Sequence, residues 1–327
     1  MLLNRYLYFI IAWYIIFIIM TIENGCAPGH YDKKNNTCFS LEQVKELSKA
    51  YNLHVSKNKL LGGTQGQIPF ITISDDKKAM LSQLTEAFKK VCSGDEKCIT
   101  RQEFMNNISS ELSDDFFNNT FRINANNPHK ATQWLSSDEI DKIMKQYEKV
   151  IPEFLFMGAI PNDCHRYSQC QLNEHPFTKL FNSGKTKLGI VYNKDIVGQG
   201  GSHWVAIYID LNKGICYYVD SLGRGPREES KEYIDSLFEY YKKKFKKPMN
   251  FHVNTKGYQN DGSECGVYSC NFLIRMLAGE SFEDYIKNPL SFEEINGCRN
   301  VYFYDKISNK DVLNECDPIS YDHVDIL

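Results

Sequence analysis

The sequence predicts an α+β fold, because it contains a hairpin of two apolar strands and, further along, a helix that is apolar on every side. The strands are predicted over residues 202–210 and 215–223, with a tight turn at residues 211–214. The helix follows a polar, glycine-containing loop and runs from Cys265 to Gly279. A surface helix would be polar along one face, so this helix is predicted to lie in the core. Glycine tolerates the left-handed conformation of a helix end, so Gly279 is expected to end it.

Cys265 stands at the beginning of this helix, where free N–H groups and the helix dipole favour a thiolate over a thiol. His203 lies near the start of the first strand, and Asp220 lies near the end of the second. Those two ends meet at one edge of an antiparallel hairpin, so we expect the two side chains to be neighbours. Together the three residues predict a nucleophile, its base and the group that orients the base. Gln259, six residues before Cys265, could join the Cys265 N–H in binding an oxyanion.

The order of these residues resembles the ubiquitin-like-protein protease clan, over roughly residues 130–280. That clan contains the SUMO-specific proteases, adenain of adenoviruses and the processing proteases of large DNA viruses. The segments that carry the resemblance are His203-Trp204, Tyr218-Val219-Asp220-Ser221-Leu222, Gln259 and Glu264-Cys265-Gly266-Val267-Tyr268. The resemblance implies a papain-like cysteine protease fold of the SUMO-protease/adenain type and cleavage after small residues, often in Gly-Gly or Gly-X-Gly. It also implies that Trp134 flanks the substrate cleft, with a core aromatic as the alternative, and Trp204, beside His203, is a second candidate for substrate binding.

The function that this resemblance implies is that of a cysteine endopeptidase that processes glycine-containing structural precursor proteins of a virus during virion maturation. A deconjugating protease for ubiquitin-like modifiers is an alternative with the same chemistry. A non-catalytic, membrane-tethered binding module is another. No metal or cofactor is expected. A nucleic-acid or peptide activator stays open, because the basic run at residues 242–247 could contact DNA, which adenain uses as a cofactor, or could be a solvated helix end.

Composition restricts the alternatives further. The 327-residue chain has a net charge of −3, so it carries no dominant electrostatic footprint for nucleic acid. Its eleven cysteines do not form the dense framework of a small disulfide-rich domain. Cys26 and Cys38 could form a local disulfide. Cys92 with Cys98, and Cys164 with Cys170, could each form a local disulfide or contribute to a metal site. Apart from a brace between Cys26 and Cys38, unpaired thiols in a reducing compartment are the favoured interpretation.

Three regions are predicted: an N-terminal hydrophobic anchor at 1–25, a helical accessory region at 26–130 and the catalytic domain at 131–327. Residues 6–22 are uncharged, and seventeen residues is the lower limit for spanning a bilayer. A cleaved signal peptide is the alternative to an uncleaved single-pass anchor. Lysines after the anchor favour a catalytic body on the cytoplasmic side or inside a virion.

Within the accessory region, helices are predicted over residues 41–50 and 77–92, from their apolar spacing. The Gly62-Gly63 pair between them is interpreted as a linker in preference to a self-cleavage site. In the catalytic domain, a helix is predicted after a cap at Ser136 or Ser137, and the tail beyond Gly279 carries no function that we can identify from its sequence.

Overall fold

The computed structural model of the 327-residue chain describes residues 25–60, 69–124, 133–304 and 315–319. These residues form two compact units. The N-terminal unit ends at Ile123 and includes Tyr304, and the C-terminal unit begins at Asn124 and holds the other described residues. The predicted boundary at residue 130 and the Gly62-Gly63 pair lie outside the described residues.

The predicted anchor, residues 1–25, also lies outside the described residues except for Gly25. Within the ranges that the structure does describe, no helix is long and apolar enough to cross a membrane. The membrane tether therefore remains a prediction from the sequence.

The N-terminal unit is helical. Its helices are α1 (Leu41–Leu60), α2 (Lys77–Ala87), α3 (Lys89–Cys92), α4 (Glu96–Ile99) and α5 (Ser110–Asn118), with a 3-10 turn at Glu103–Asn107. The first helix extends beyond its predicted end at Ala50, because Tyr51 and Val55 continue the buried face. The helix predicted over 77–92 is interrupted at Phe88, whose ψ of 8° is not helical. Val91 continues the apolar spacing of the predicted helix, but it lies after the interruption and is 67% exposed.

Eight of the eleven cysteines are paired in disulfides, so the preference for unpaired thiols is wrong. Besides the brace predicted between Cys26 and Cys38, the pairs are Cys92–Cys98, Cys164–Cys170 and Cys298–Cys316. The Cys298–Cys316 pair was not predicted, because nothing in the local sequence connects the two positions. The free cysteines are Cys216, Cys265 and Cys270, and all three are buried.

The C-terminal unit is built on a five-stranded mixed sheet in the order β1-β2-β3-β4-β5. The strands are β1 (Phe154–Pro161), β2 (Lys187–Asn193), β3 (Trp204–Asp210), β4 (Ile215–Val219) and β5 (Asn250–Val253). The two outer pairings are parallel, and the two inner ones, β2 with β3 and β3 with β4, are antiparallel. The predicted hairpin is β3–β4, with Asp210 opposite Ile215. Its strands are shorter than predicted, so His203 and Asp220 each lie one residue outside a strand.

Helices complete the C-terminal unit: α6 (Ser137–Val150), α7 (Gln171–Glu174), α8 (Phe177–Leu180), α9 (Glu228–Phe245), α10 (Cys265–Leu277), α11 (Phe282–Lys287) and α12 (Phe292–Tyr302), with a 3-10 turn at Cys164–Arg166. Of the two serines predicted as the cap of α6, the structure uses Ser136, which forms a capping box with Glu139. All thirteen residues of α10 are buried, and Gly279 follows it with a φ of +92°. The helix α10 packs against β2, β3, α6 and α12. The predicted α+β class and the buried central helix are confirmed.

Candidate active site

Cys265 is the first residue of α10 and is only 1% exposed. The loop before it is polar and contains Gly257 and Gly262, and the apolar run of α10 begins directly after it, so the helix starts at the nucleophile position. Gly266 permits a close approach at this point. A Cβ on Gly266 would lie 3.0 Å from the Leu135 Cβ and 3.2 Å from the Trp204 Cδ1. The residue after the cysteine therefore has to be small.

The β3–β4 hairpin brings His203 and Asp220 together. The imidazole Nε2 lies 2.6 Å from Asp220 Oδ1, and both side chains are buried. The Cys265 thiol lies near enough to the imidazole to raise the pKa of His203. Because Nε2 faces the carboxylate, Nδ1 is the nitrogen left for the sulfur. The imidazole therefore interacts with both the Asp220 carboxylate and the Cys265 thiol.

The charge states of these side chains are perturbed in opposite directions. Burial lowers the pKa of His203, but the hydrogen bond with Asp220 and the nearby Cys265 thiol outweigh it and raise the pKa to about 9. Burial raises the pKa of Asp220, but hydrogen bonds from His203 and Lys194 outweigh it, so the net pKa is below its usual value. At neutral pH this arrangement favours an imidazolium held between a carboxylate and the sulfur.

Asp220 is held by two side chains that the sequence analysis did not identify. Asn254 accepts a hydrogen bond from the Asp220 N–H at 2.9 Å and donates one to the Asp220 carbonyl at 2.7 Å. Lys194 Nζ lies 2.8 Å from Asp220 Oδ2. A lysine directly after an apolar strand was a visible signal for Lys194, but its partner depends on a pairing between strands that are distant in sequence.

Gln259 lies in the loop between β5 and α10, and this loop is fastened to the residue after Asp220. The Gln259 N–H donates to the Ser221 carbonyl at 3.0 Å, and the Ser221 hydroxyl donates to Gln259 Oε1 at 2.5 Å. Gln259 Nε2 donates to the Asp261 carbonyl. For the oxyanion role that the sequence predicts, Nε2 must therefore be released from Asp261.

Arg299, from α12, supports the segment before the nucleophile and was not anticipated from the sequence. Its side chain is almost fully buried, and Nη2 donates to the Ser263 carbonyl at 2.9 Å. Nε donates to the Asn296 side chain in the same helix at 2.9 Å. The tail that contains α12 thus contributes directly to the position of the Cys265 loop.

A cleft of about 350 Å³ lies beside Trp204, the neighbour of both His203 and Gly266. Trp134 and Trp204 both line it, together with a loop that contains Gly198, Gly200 and Gly201. Trp134 is 43% exposed, whereas Trp204 is buried and donates from Nε1 to the Leu135 carbonyl at 2.9 Å. Among the described residues that line this cleft, the charged side chain is that of Asp195. The cleft can therefore receive an extended peptide beside Trp204, the residue after His203.

His165 and His175 lie near Cys164 and Cys170 in the sequence, and side chains of these two types can hold a metal ion. The two cysteines form a disulfide with each other, so they do not serve as metal ligands here. His165 instead lies 3.2 Å from the carboxylate of Glu232. In the described ranges, no group of three or more His, Cys, Asp or Glu side chains is arranged to hold a metal ion.

Comparisons with known proteins identify the family of this chain. Residues 194–316 match the Ulp1 protease family, C-terminal catalytic domain. A protein of Acanthamoeba polyphaga mimivirus, named as a thiol protease, is 44% identical over 298 residues, which cover 90% of this chain and 98% of that protein. A SUMO-1 cysteine protease of African swine fever virus is 27% identical over 118 residues, which cover 35% of this chain and 43% of that protein.

The fold also resembles a solved structure. The crystal structure of the selenomethionine form of an African swine fever virus protease superimposes with a TM-score of 0.57 at 18% identity, over 88% of this chain and 98% of that one. At this level of identity the similarity concerns the fold alone.

Proposed function

We propose that this chain, which belongs to the Ulp1 protease family of cysteine peptidases, is an endopeptidase that cleaves after glycine and processes structural precursor proteins of a virus. The family resemblance and the cysteine peptidase activity that the sequence predicted are confirmed. The observation that carries the proposal is the group of buried side chains Asp220, His203 and Cys265, in which the imidazole interacts with both the carboxylate and the thiol.

In the proposed mechanism, the Cys265 sulfur attacks the carbonyl carbon of the scissile bond and His203 holds the proton. The tetrahedral intermediate collapses when His203 gives that proton to the leaving amine, which leaves an acyl group on the sulfur. His203 then takes a proton from water, which attacks the thioester and releases the acid product. Asp220 keeps the imidazole in its orientation and stabilises its positive charge throughout.

The developing oxyanion would be bound by the Cys265 N–H and by Gln259 Nε2. The N–H stands at the first position of α10, where no carbonyl of the helix accepts it. Nε2 becomes available when it exchanges the Asp261 carbonyl for the oxyanion, which is the stronger acceptor because it is charged. The bond from Ser221 to Gln259 Oε1 keeps the amide in the orientation that this exchange requires.

Preference for glycine before the scissile bond is supported by the residues that line the cleft. The two indoles of Trp134 and Trp204 and the glycine-rich loop at 198–201 line a passage in which a side chain on the substrate would meet aromatic rings. Glycine has no Cβ, so its backbone can lie close to such surfaces. We expect peptides with Gly at this position to be cleaved much faster than peptides with Val.

The selectivity can be tested by widening the cleft. Trp134→Ala should increase cleavage of the Val peptide relative to the Gly peptide, because the exposed indole is removed without disturbing the core. Tyr167→Ala, which removes another aromatic side chain that is 43% exposed, is the matched control and should leave the ratio unchanged. Equal cleavage of Gly and Val peptides by the unaltered protein would contradict the proposal.

A deconjugating protease is the second candidate, favoured by the name of the African swine fever virus relative, a SUMO-1 cysteine protease. The two candidates differ in the surface that is recognised and not in the chemistry. A precursor-processing enzyme should cleave a short Gly-Gly peptide about as efficiently as the same sequence at the end of a folded ubiquitin-like domain. A large preference for the folded domain would support deconjugation.

For location, we propose that residues 1–25 tether the protein to a membrane and that the catalytic body faces the host cytoplasm or the virion interior. Four disulfides favour the virion, because cytosolic proteins seldom keep disulfides. Mass spectrometry of protein from purified virions should find these pairs formed and Cys265 free. Extraction of the full chain by alkaline carbonate, without detergent, would contradict the tether.

A nucleic-acid or peptide activator is the remaining proposed partner. The basic run at residues 242–247 lies at the exposed end of α9, where cations also favour the helix dipole. Addition of DNA to the peptidase assay tests it, and an unchanged rate at low salt would contradict a nucleic-acid activator.

A further inference from the structure

The two oxygens of the Asp220 carboxylate are taken by two different cations. His203 Nε2 lies 2.6 Å from Oδ1, and Lys194 Nζ lies 2.8 Å from Oδ2. The Lys194 side chain is 8% exposed and that of Asp220 is fully buried. A buried lysine loses the hydration of its ammonium group, which is tolerated when a carboxylate compensates it. The ammonium group therefore interacts directly with the Asp220 carboxylate.

The position of Lys194 is set by the same strand pairing that positions His203. Asn193 is opposite Trp204 in the β2–β3 ladder, and the next pair outward is Lys194 and His203. The Lys194 N–H donates to the His203 carbonyl at 2.8 Å. On its other side, the Lys194 carbonyl accepts a hydrogen bond from Arg227 Nη1 at 2.8 Å. The backbone thus holds the lysine in register with the imidazole.

Asp220 does not need Lys194 to keep its orientation. The Leu222 N–H donates to Asp220 Oδ1 at 2.9 Å, and Asn254 binds both backbone groups of Asp220. What Lys194 adds is a positive charge at the oxygen that His203 leaves free. A residue required only for packing at this buried position would be apolar, since apolar side chains carry no desolvation cost.

We propose that Lys194 is a positioning residue of the active site, which binds the second oxygen of Asp220 and balances its charge so that His203 can release its proton to the leaving group. The inference rests on the function proposed above. The Lys194 ammonium contributes one positive charge beside the buried carboxylate and imidazolium. Without it this cluster is more negative by one charge, and a more negative buried cluster holds the imidazolium proton more tightly.

Other charged and titratable groups surround this cluster. Arg227 contacts only the backbone of Lys194, Arg299 reaches the Ser263 carbonyl, and Glu264 precedes the nucleophile. Burial raises the pKa of the phenols of Tyr218 and Tyr258, so both are neutral near the site. Within the described part of the chain, the cations bonded to the Asp220 carboxylate are Lys194 and His203.

The test uses the full chain and a Gly-Gly peptide, with kcat and KM measured as functions of pH. Lys194→Met should lower kcat about tenfold near neutral pH, leave KM unchanged and move the alkaline edge of the profile upward by about one pH unit, because a cation next to the carboxylate has been lost. Lys194→Arg keeps the charge and should keep the edge. Lys187→Met is the matched control: it removes a lysine of β2 that pairs with Glu153, and it should change neither kcat nor the alkaline edge.

The pH edge distinguishes charge from packing. An edge that stays in place in a folded Lys194→Met protein would overturn the proposal, as would an edge in Lys194→Arg that moves as far as in Lys194→Met. If the methionine variant does not fold, Lys194→Gln decides in the same way, since it keeps a donor for Asp220 and loses the charge. Alkylation of Cys265 by iodoacetate gives a readout that needs no peptide, because this anion is attracted to the imidazolium and reacts more slowly once His203 has lost its proton. A shifted alkaline edge of this reaction in Lys194→Met supports the inference even if the glycine specificity fails.

Discussion

Replacement of Asp220 by asparagine removes a charge from the proposed active site and nearly preserves its shape. In the folded protein the pKa of His203 is about 9, against 6.5 for an ordinary histidine, and Asp220 is the first of the groups that raise it. Without the carboxylate charge the pKa should return toward about 6.5. At about pH 7.5 the imidazolium fraction would then fall from nearly all molecules to about one in ten, whereas at about pH 6 most molecules would still be protonated.

The expected signature is a loss that depends on pH. Relative to the unaltered protein, Asp220→Asn should lose about tenfold more kcat/KM at about pH 7.5 than at about pH 6, and its alkaline edge should move down by about two units. Any misorientation of the imidazole would add a loss that is equal at both pH values. An equal loss at the two pH values would therefore refute the assignment of the charge effect to Asp220.

Two controls make this result interpretable. Asp210→Asn alters another buried carboxylate, at the end of β3, which accepts from the N–H groups of Asn212 and Lys213, and it should not move the edge. Asp220→Asn also leaves the buried ammonium of Lys194 without its counter-ion, at a cost of about 3–5 kcal/mol in stability. The assay should therefore be run below the melting temperature of the variant, as measured by circular dichroism.

Three further predictions concern the surroundings of the site. Arg299→Met should lower kcat by about 10- to 100-fold with little change in KM, because the Ser263 carbonyl before Cys265 loses its donor; steady-state kinetics would show it, and an unchanged kcat would contradict it. Because the pKa of His203 is raised in the folded protein, His203 should contribute up to about 3 kcal/mol to the free energy of unfolding. This contribution is fully present below about pH 6.5 and is lost as the pH rises through about 9. Urea titrations should show the loss, and His203→Gln should remove this pH dependence. Asp195→Asn should reduce any preference for Lys or Arg upstream of the scissile glycine by up to about fivefold, since Asp195 carries the charge among the described residues of the cleft; an equal loss on neutral peptides would contradict it.

The central helix and the hairpin could be predicted because both follow from local patterns. An apolar run with a polar loop before it specifies a buried helix, and two short apolar runs around a four-residue turn specify a hairpin. The neighbouring positions of His203 and Asp220 then follow from strand pairing alone. The assignment of roles to His203, Asp220, Gln259 and Cys265 remains a proposal that the geometry supports.

The contacts that were missed depend on pairings between distant segments. Lys194 reaches Asp220 only because β2 lies beside β3, and Arg299 reaches Ser263 only because the tail folds back on α10. The helices of the tail did leave a local signal. Ser291 followed by Glu294 is a capping-box pattern, and that box begins α12 in the structure. The interruption at Phe88 shows the opposite case, in which a continuous apolar spacing did not produce one continuous helix.

The most direct test of the proposed mechanism is labelling of the full chain with a peptide that ends in a glycine-derived electrophile, followed by mass spectrometry. The mechanism predicts one adduct, on Cys265, and a much slower reaction in His203→Ala. Burial raises the pKa of the Cys216 and Cys270 thiols, so neither forms a thiolate near neutral pH and both should remain unmodified. An adduct on either of those cysteines, or labelling of His203→Ala at the rate of the unaltered protein, would contradict the assignment of Cys265 and His203 as nucleophile and base.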